Sequence, residues 1–382
     1  MERLQTLLDT LVSHQPIKQA IMAVESGDGS FRWSGAAGKS VDGLPLDPEA
    51  PFFIASIDKL YNAAVVLMLA ERGKLRLDDP ISDYLPVDLT RGLHTLNGID
   101  YSGSLTIRHL LSHSSGLADW LEDTPKNGKN LIEHVLERDD RSMSTAEIAD
   151  LVRGLSPHFP PQDPSARRVK IRYSDTNFIL IIALLETMCG QPLHRIHEDL
   201  LYAPLGLRHT YFPGTTLPLE TTSAPVPLRA EGRIIEIPRL MTAFRGIYST
   251  AGDTISFLRH LACGEVFQNP KTFALMQSRW NRFGFPMDRA ALRSPGWPIE
   301  YGLGLMRFQL PRAFTSLKRL PAVIGHTGST GCWLFWCPEM DLYFSGSVDE
   351  AGAGAVPYRI IPQILQILAT GEGGPIHGIR KV

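Results

Sequence analysis

Strand-forming runs gather at the two ends of this chain of 382 residues, and the long stretch between them reads almost entirely as helix. Near the N-terminus, Glu2–Val12 places Leu4, Leu7, Leu8 and Leu11 at helical spacing. Ala20–Val24, Gly27-Asp28-Gly29 and Phe31–Trp33 then read as strand, turn and strand. From Ser56 the run of helix formers continues to Gly73, which predicts one long, largely apolar helix. Helical patterns follow at Thr106–His113, Asn130–Glu137, Thr145–Leu155, Asn177–Cys189 and Leu193–Leu200, separated by Pro- and Gly-containing loops. After Gly246 the strand signals return at Gly302–Gln309, Ala322–Gly325, Gly331–Phe335 and Leu342–Val348, with a last helix from about Pro357 to Thr370. This order predicts a discontinuous α/β domain built from residues 1–84 and 246–382, with a mainly helical domain, residues 85–245, inserted. A chain of this length suits two domains of about 100–200 residues each.

Charge and cysteine content narrow the partners. Lys plus Arg number 38 against 40 Asp plus Glu, so a net charge of −2 gives no electrostatic reason to expect nucleic acid or an anionic membrane surface. The longest apolar runs, Ala63–Ala70 and Phe178–Leu185, fall well short of the ~20 residues a membrane helix needs. The start of the chain lacks the pattern of a secretory signal, which predicts a cytoplasmic protein, or a periplasmic or secreted one if a leader has been removed. Of the four cysteines, Cys332 and Cys337 form the close pair, and their odd spacing in a strand points them to opposite faces. No disulfide framework is expected. Ala351–Ala355 reads as a turn, and no repeat is evident. Phosphate-loop, dinucleotide, zincin and G-x-S-x-G patterns are absent. His109 with His113, and His194 with His197, have helical spacing but no third ligand, so no metal is expected.

Three segments carry chemistry. Ser56-Ile57-Asp58-Lys59 begins the long helix, and a three-residue spacing there stacks Ser56 and Lys59 on one face. The helix N-terminus adds free N–H groups and partial positive charge, which suit a developing oxyanion. The bland alternative is a helix cap with a surface lysine, but Phe52–Ala55 and Ala63–Ala70 are apolar, and a buried lysine needs a partner or a depressed pKa. Tyr173-Ser174-Asp175 precedes the apolar helix near Phe178, where the tyrosine is either a proton carrier or a half-buried ring at a helix entrance. His326-Thr327-Gly328-Ser329 ends a strand in a Gly-rich turn that permits close backbone approach to a ligand.

In that order these segments resemble the motifs of the serine β-lactamase and penicillin-binding-protein-like superfamily, near class C β-lactamases, DD-carboxypeptidases, D-aminopeptidases and related esterases. Leu105–Leu117, Leu75–Leu85 and Ile247–Asp253 match further stretches of that group, and the likeness runs from about Ala20 to Ile367. The resemblance implies an antiparallel sheet flanked by helices, with the active site at the interface of the two domains. It implies Ser56 as the acylated nucleophile, Lys59 and Tyr173 in proton transfer with the base open between them, and the backbone N–H groups of Ser56 and Ser329 as the oxyanion hole.

Asp175, His326, Thr327 and Gly328 would then face substrate. Two departures matter: histidine stands where most β-lactamases have lysine, and Asp175 where many relatives have asparagine. A mostly neutral His326 attracts a carboxylate less, and Asp175 accepts from Lys59 but donates nothing to a substrate carbonyl. A carboxylate beside Lys59 should also raise the lysine pKa. Trp120, Trp297 and Tyr301 are candidates for an acyl pocket or for core and rim, and Arg245 either holds an anionic substrate group or lies on the surface. The loops near Trp120–Lys129 and Arg279–Pro298 are expected to shape the pocket.

The resulting expectation is a serine hydrolase that cleaves a small ester or amide without metal or organic cofactor. The alternatives are an acyltransferase on the same residues, a D-amino-acid peptidase or β-lactamase, and a sensor that acylates and stalls. Sequence gives no oligomeric state.

Overall fold

The structure, a computed structural model, describes residues 1–14, 16–285, 295–310 and 319–369. Eight strands make one antiparallel sheet: β1 (Gln19–Ser26), β2 (Arg32–Gly38), β3 (Asn281–Arg282), β4 (Glu300–Tyr301), β5 (Met306–Phe308), β6 (Val323–Thr327), β7 (Trp333–Cys337) and β8 (Leu342–Val348). Their order across the sheet is β2-β1-β8-β7-β6-β5-β4-β3. The two ends of the chain meet where β1 pairs with β8, Ala20 opposite Val348 and Ser26 opposite Leu342.

Helices cover both faces, which is why β1 is buried along its whole length instead of alternating with polar residues. Ala20, Met22 and Val24 face a core shared with α1 (Glu2–Ser13) and α6 (Val356–Ala369), where Leu4, Leu8, Ile361 and Ile364 are buried. Ile21 and Ala23 face the larger core, which holds α2 (Asp58–Glu71), α4 (Asp175–Cys189) and α5 (Ala251–Ala262). Cys332 belongs to that larger core and Cys337 to the other, on opposite sides of the sheet. Every residue of α2 from Lys59 to Leu69 is buried, and α4 is buried from Thr176 to Leu185. A helix apolar on all sides is stable when protein surrounds it. No single helix among the described residues is long and apolar enough to cross a membrane.

The structure differs from the sequence reading in three places. Between Gly246 and the last helix the sequence suggested strands alone, yet α5 and a short helix, Lys271–Met276, lie there. Thr250 starts α5 by accepting the Asp253 N–H at 3.2 Å on its hydroxyl. The run from Gly302 to Gln309 breaks at Gly304, whose φ of +73° turns the chain where a Cβ would sit 2.4 Å from the Ala63 Cβ of α2. The helix expected at Thr106–His113 shortens to α3 (Ile107–Leu111), and His113 beyond it takes a φ of +53°.

Candidate active site

Ser56 lies in a single tight turn, Ala55–Ile57, immediately before α2, and is half-buried. Ala55 carries a φ of +44°, a region that non-glycine residues seldom adopt, so neighbours must hold this turn in place. Ile54 donates its N–H to the Ile247 carbonyl at 3.0 Å, and its own carbonyl accepts from the Cys332 thiol at 3.1 Å. One turn later Lys59 reaches back, as the three-residue spacing predicts. Its Nζ donates to Ser56 Oγ at 3.1 Å and to Asp175 Oδ1 at 2.6 Å, with Asp58 Oδ1 at 3.8 Å.

Tyr173 and Asp175 are placed by two loops. Ser174 is the N-cap of α4 but spends its hydroxyl on the Ala118 carbonyl at 3.1 Å. Asp119 takes its place, accepting the Asp175 N–H on Oδ2 at 3.1 Å. From the other side, His113 Nδ1 accepts from the Ser174 N–H at 3.2 Å and lies 2.9 Å from Asn177 Nδ2. A backbone N–H can only donate, so the neutral His113 ring carries its proton on Nε2. That ring lies 4.3 Å from the Tyr173 ring, centroid to centroid. The Tyr173 hydroxyl is buried without a hydrogen bond of good geometry, yet Ser56 is near enough to ease its ionisation.

The third segment closes the site from the end of β6. A Cβ on Gly328 would sit 2.3 Å from Cys332 Sγ and 2.8 Å from the Ala55 Cβ, so β6 runs against the Ser56 turn and only glycine fits. Ser329, the next residue, is exposed. His326 is fully buried; its Nε2 accepts from Tyr301 Oη at 3.0 Å and its Nδ1 donates to the Thr327 carbonyl at 2.6 Å. Thr327 points the other way, as neighbouring strand residues must. Its hydroxyl lies 3.1 Å from Tyr358 Oη on α6, across the sheet from Lys59.

The structure does not bring Arg245 into this group. Its guanidinium pairs with Glu186 at 3.0 Å, toward the far end of α4 and about 16 Å along the helix from Asp175 at 1.5 Å per residue. Trp120 is 1% exposed, with its ring 5.3 Å from Phe244, and is a core residue above the start of α4. Tyr301 lies buried under His326, whereas Trp297 is exposed and stacks on Phe285. Residues 286–294 of the second expected pocket loop fall outside the described residues. His109 is committed to Thr106 and the Gln162 carbonyl, and no group of three metal-ligating side chains occurs among the described residues.

Burial and mutual charge set the protonation pattern. Burial works against the Lys59 charge, but Asp175 and Asp58 outweigh it and hold the ammonium above its ordinary value. Burial pushes the Asp58 carboxyl up to about 6 despite Lys59. Asp119 is raised well above the carboxylate range by burial and then by Asp175. Burial and the Asp175 charge keep Tyr173 a phenol. Burial and the Lys59 charge push His326 down to about 3, so it is neutral at pH 7. The site therefore presents a hydroxyl, an ammonium and a phenol close together.

Asp58 and Asp119 are site residues that the sequence reading does not assign, and His113, weighed there only as a metal ligand, acts instead by holding the start of α4. Asp58 was visible inside the Ser56–Lys59 spacing, and His113 within the stretch at Leu105–Leu117; Asp119 meets Asp175 only through the tertiary fold.

Comparison with known proteins follows the same lines. The chain matches the family described as Beta-lactamase over residues 11–355. It is 26% identical over 273 residues to Penicillin-binding protein 4 of Amycolatopsis lactamdurans, covering 68% of this chain and 64% of that protein. It is 24% identical over 335 residues to Esterase EstB of Burkholderia gladioli, covering 78% of each. Against two longer relatives, from Bacillus subtilis and Escherichia coli, the match spans only 41% and 40% of their length. Among solved structures, a D-stereospecific amidohydrolase from Streptomyces sp. superposes with a TM-score of 0.69 at 23% identity, over 98% of this chain and 99% of that one, and shares the fold.

Proposed function

Since the chain belongs to the Beta-lactamase family, we propose that it is a serine hydrolase that cleaves an ester or amide bond of a small molecule through an acyl-enzyme on Ser56. The observation that carries this reading is Ser56 Oγ held 3.1 Å from Lys59 Nζ, with the unpartnered Tyr173 hydroxyl beside it.

Lys59, pinned by Asp175, stays an ammonium and stabilises negative charge as it develops on the serine oxygen. Tyr173 is the proton relay. As Ser56 Oγ bonds to the carbonyl carbon, its proton passes to Tyr173 Oη, and the tyrosine gives its own proton to the departing alcohol or amine. The backbone N–H groups of Ser56 and Ser329 receive the carbonyl oxygen as it becomes negative. Water then adds to the acyl carbon, its proton returns through Tyr173, and Ser56 is released with the acid. Relatives described as an esterase and an amidohydrolase support an ester or amide as the bond broken. The division into residues 1–84 with 246–382 and residues 85–245 is part of this proposal: Ser56 and Ser329 come from the first unit, Tyr173 and Asp175 from the second.

Hydrolysis of a short-chain nitrophenyl ester tests the reading. Ser56→Ala should abolish turnover, and Tyr173→Phe should lower kcat by about 10²–10⁴-fold with KM nearly unchanged. Turnover by Ser56→Ala at the wild-type rate overturns it.

A further inference from the structure

The side chains that the sequence offers for holding a substrate carboxylate are all committed elsewhere. Both ring nitrogens of His326 are engaged, by Tyr301 and by the Thr327 carbonyl. The Thr327 hydroxyl faces Tyr358 across the sheet, and Arg245 is paired with Glu186. Lys59 is the one cation in contact with Ser56 among the described residues, and two carboxylates flank it.

The opposite charge is in surplus. Asp175 uses Oδ1 on Lys59, its Oδ2 accepts no hydrogen bond among the described residues, and its side chain is 19% exposed. Asp58 Oδ1 is buried without a hydrogen-bond partner. Beside these acids the Tyr173 hydroxyl, on a residue only 6% exposed, has Ser56 as its near neighbour and supplies no positive charge. Two carboxylates thus stand around one ammonium.

We propose that this site selects its substrate by charge: Asp175 makes it favour acyl groups that carry an ammonium group near the scissile carbonyl over acyl groups that carry a carboxylate, with neutral acyl groups between them. The proposal rests on the hydrolase reading above and names the substrate class for it. Like charges brought within ~6 Å in a half-buried cleft change affinity by about tenfold or more, and salt screens them little there.

Three nitrophenyl esters of similar length test it: 3-aminopropanoyl, butanoyl and 3-carboxypropanoyl, each corrected for spontaneous hydrolysis. Wild type should show kcat/KM falling in that order, with the carboxylate ester at least about tenfold below the neutral one. Asp175→Asn should shrink the ammonium-to-carboxylate ratio by about tenfold, whatever it does to the absolute rates. Should that variant be too slow or fail to fold, Asp58→Asn should shrink the same ratio by a smaller factor. Equal kcat/KM for the three esters with wild type, or a ratio unchanged in a folded and active variant, overturns the proposal. Ser56-dependent turnover of the butanoyl ester keeps the two readings apart: a flat ratio with that turnover intact defeats charge selection alone, and loss of Ser56 dependence defeats the hydrolase reading.

Discussion

At the scale of residues, the charges around Ser56 bring a cost that the fold carries elsewhere. Asp58 ionises near 3.8 in the unfolded chain and near 6 in the folded one, because burial outweighs the help from Lys59. Between those values the folded state binds more protons than the unfolded state, so stability falls as pH rises from 4 to 6 and stays lower above. Asp58→Asn has no proton to lose. Urea unfolding should show it more stable than wild type by about 2–3 kcal/mol at pH 7.5, with the gap closing below pH 4. A gap of the same size at both pH values contradicts the assignment. Ser56, Lys59 and Tyr173 were legible in the sequence because a three-residue helical spacing and short ordered motifs are local signals. Asp119 was not, since nothing near it in the chain announces that its carboxylate will meet the start of α4.

At the scale of elements, α4 shows how a helix start can be held from outside. Its own N-cap serine is turned to the Ala118 carbonyl, and Asp119 supplies the missing acceptor while also accepting the Leu121 N–H at 2.8 Å. Asp119→Ala should cost about 1–2 kcal/mol in thermal unfolding and lower kcat, because Tyr173 and Asp175 lose their anchor. Asp119→Asn keeps an acceptor oxygen and should cost much less; equal losses in the two variants would exclude the capping role. The edges of elements were the least legible part of the sequence. Gly304 splits one apparent strand in two because α2 lies directly beneath it, a packing fact with no local signature. The helix α5 went unread although Thr250 and Asp253 form a recognisable start, because the strand signals around it set the expectation.

At the scale of the whole molecule, the arrangement of strands at both ends and helices between them was legible, because it follows from hydrophobic period alone. The register was not: that Ala20 faces Val348 depends on which apolar faces meet. Burying neutral histidines, His326 on β6 and His197 against Asn62 of α2 and Tyr202, also sets the response of the fold to acid. His326 and His197 are each pushed down to about 3 by burial, so below 6.5 the unfolded chain binds protons that the folded one does not. Their contribution is intact above pH 6.5 and is lost as pH falls toward 3, about 2–3 kcal/mol each by pH 4.5. His197→Gln has no such proton to gain, so in urea it should lose about 2–3 kcal/mol less stability than wild type between pH 7 and pH 4.5, and equal losses in the two proteins would contradict this account.

The central claim, that a covalent acyl group passes through Ser56, is tested most directly by intact mass after rapid quenching of the protein with a nitrophenyl ester. Wild type should gain the mass of one acyl group, located by peptide mapping to Ser56, and Ser56→Ala should gain none. The same adduct on both proteins, or an adduct mapped to another residue, would contradict it.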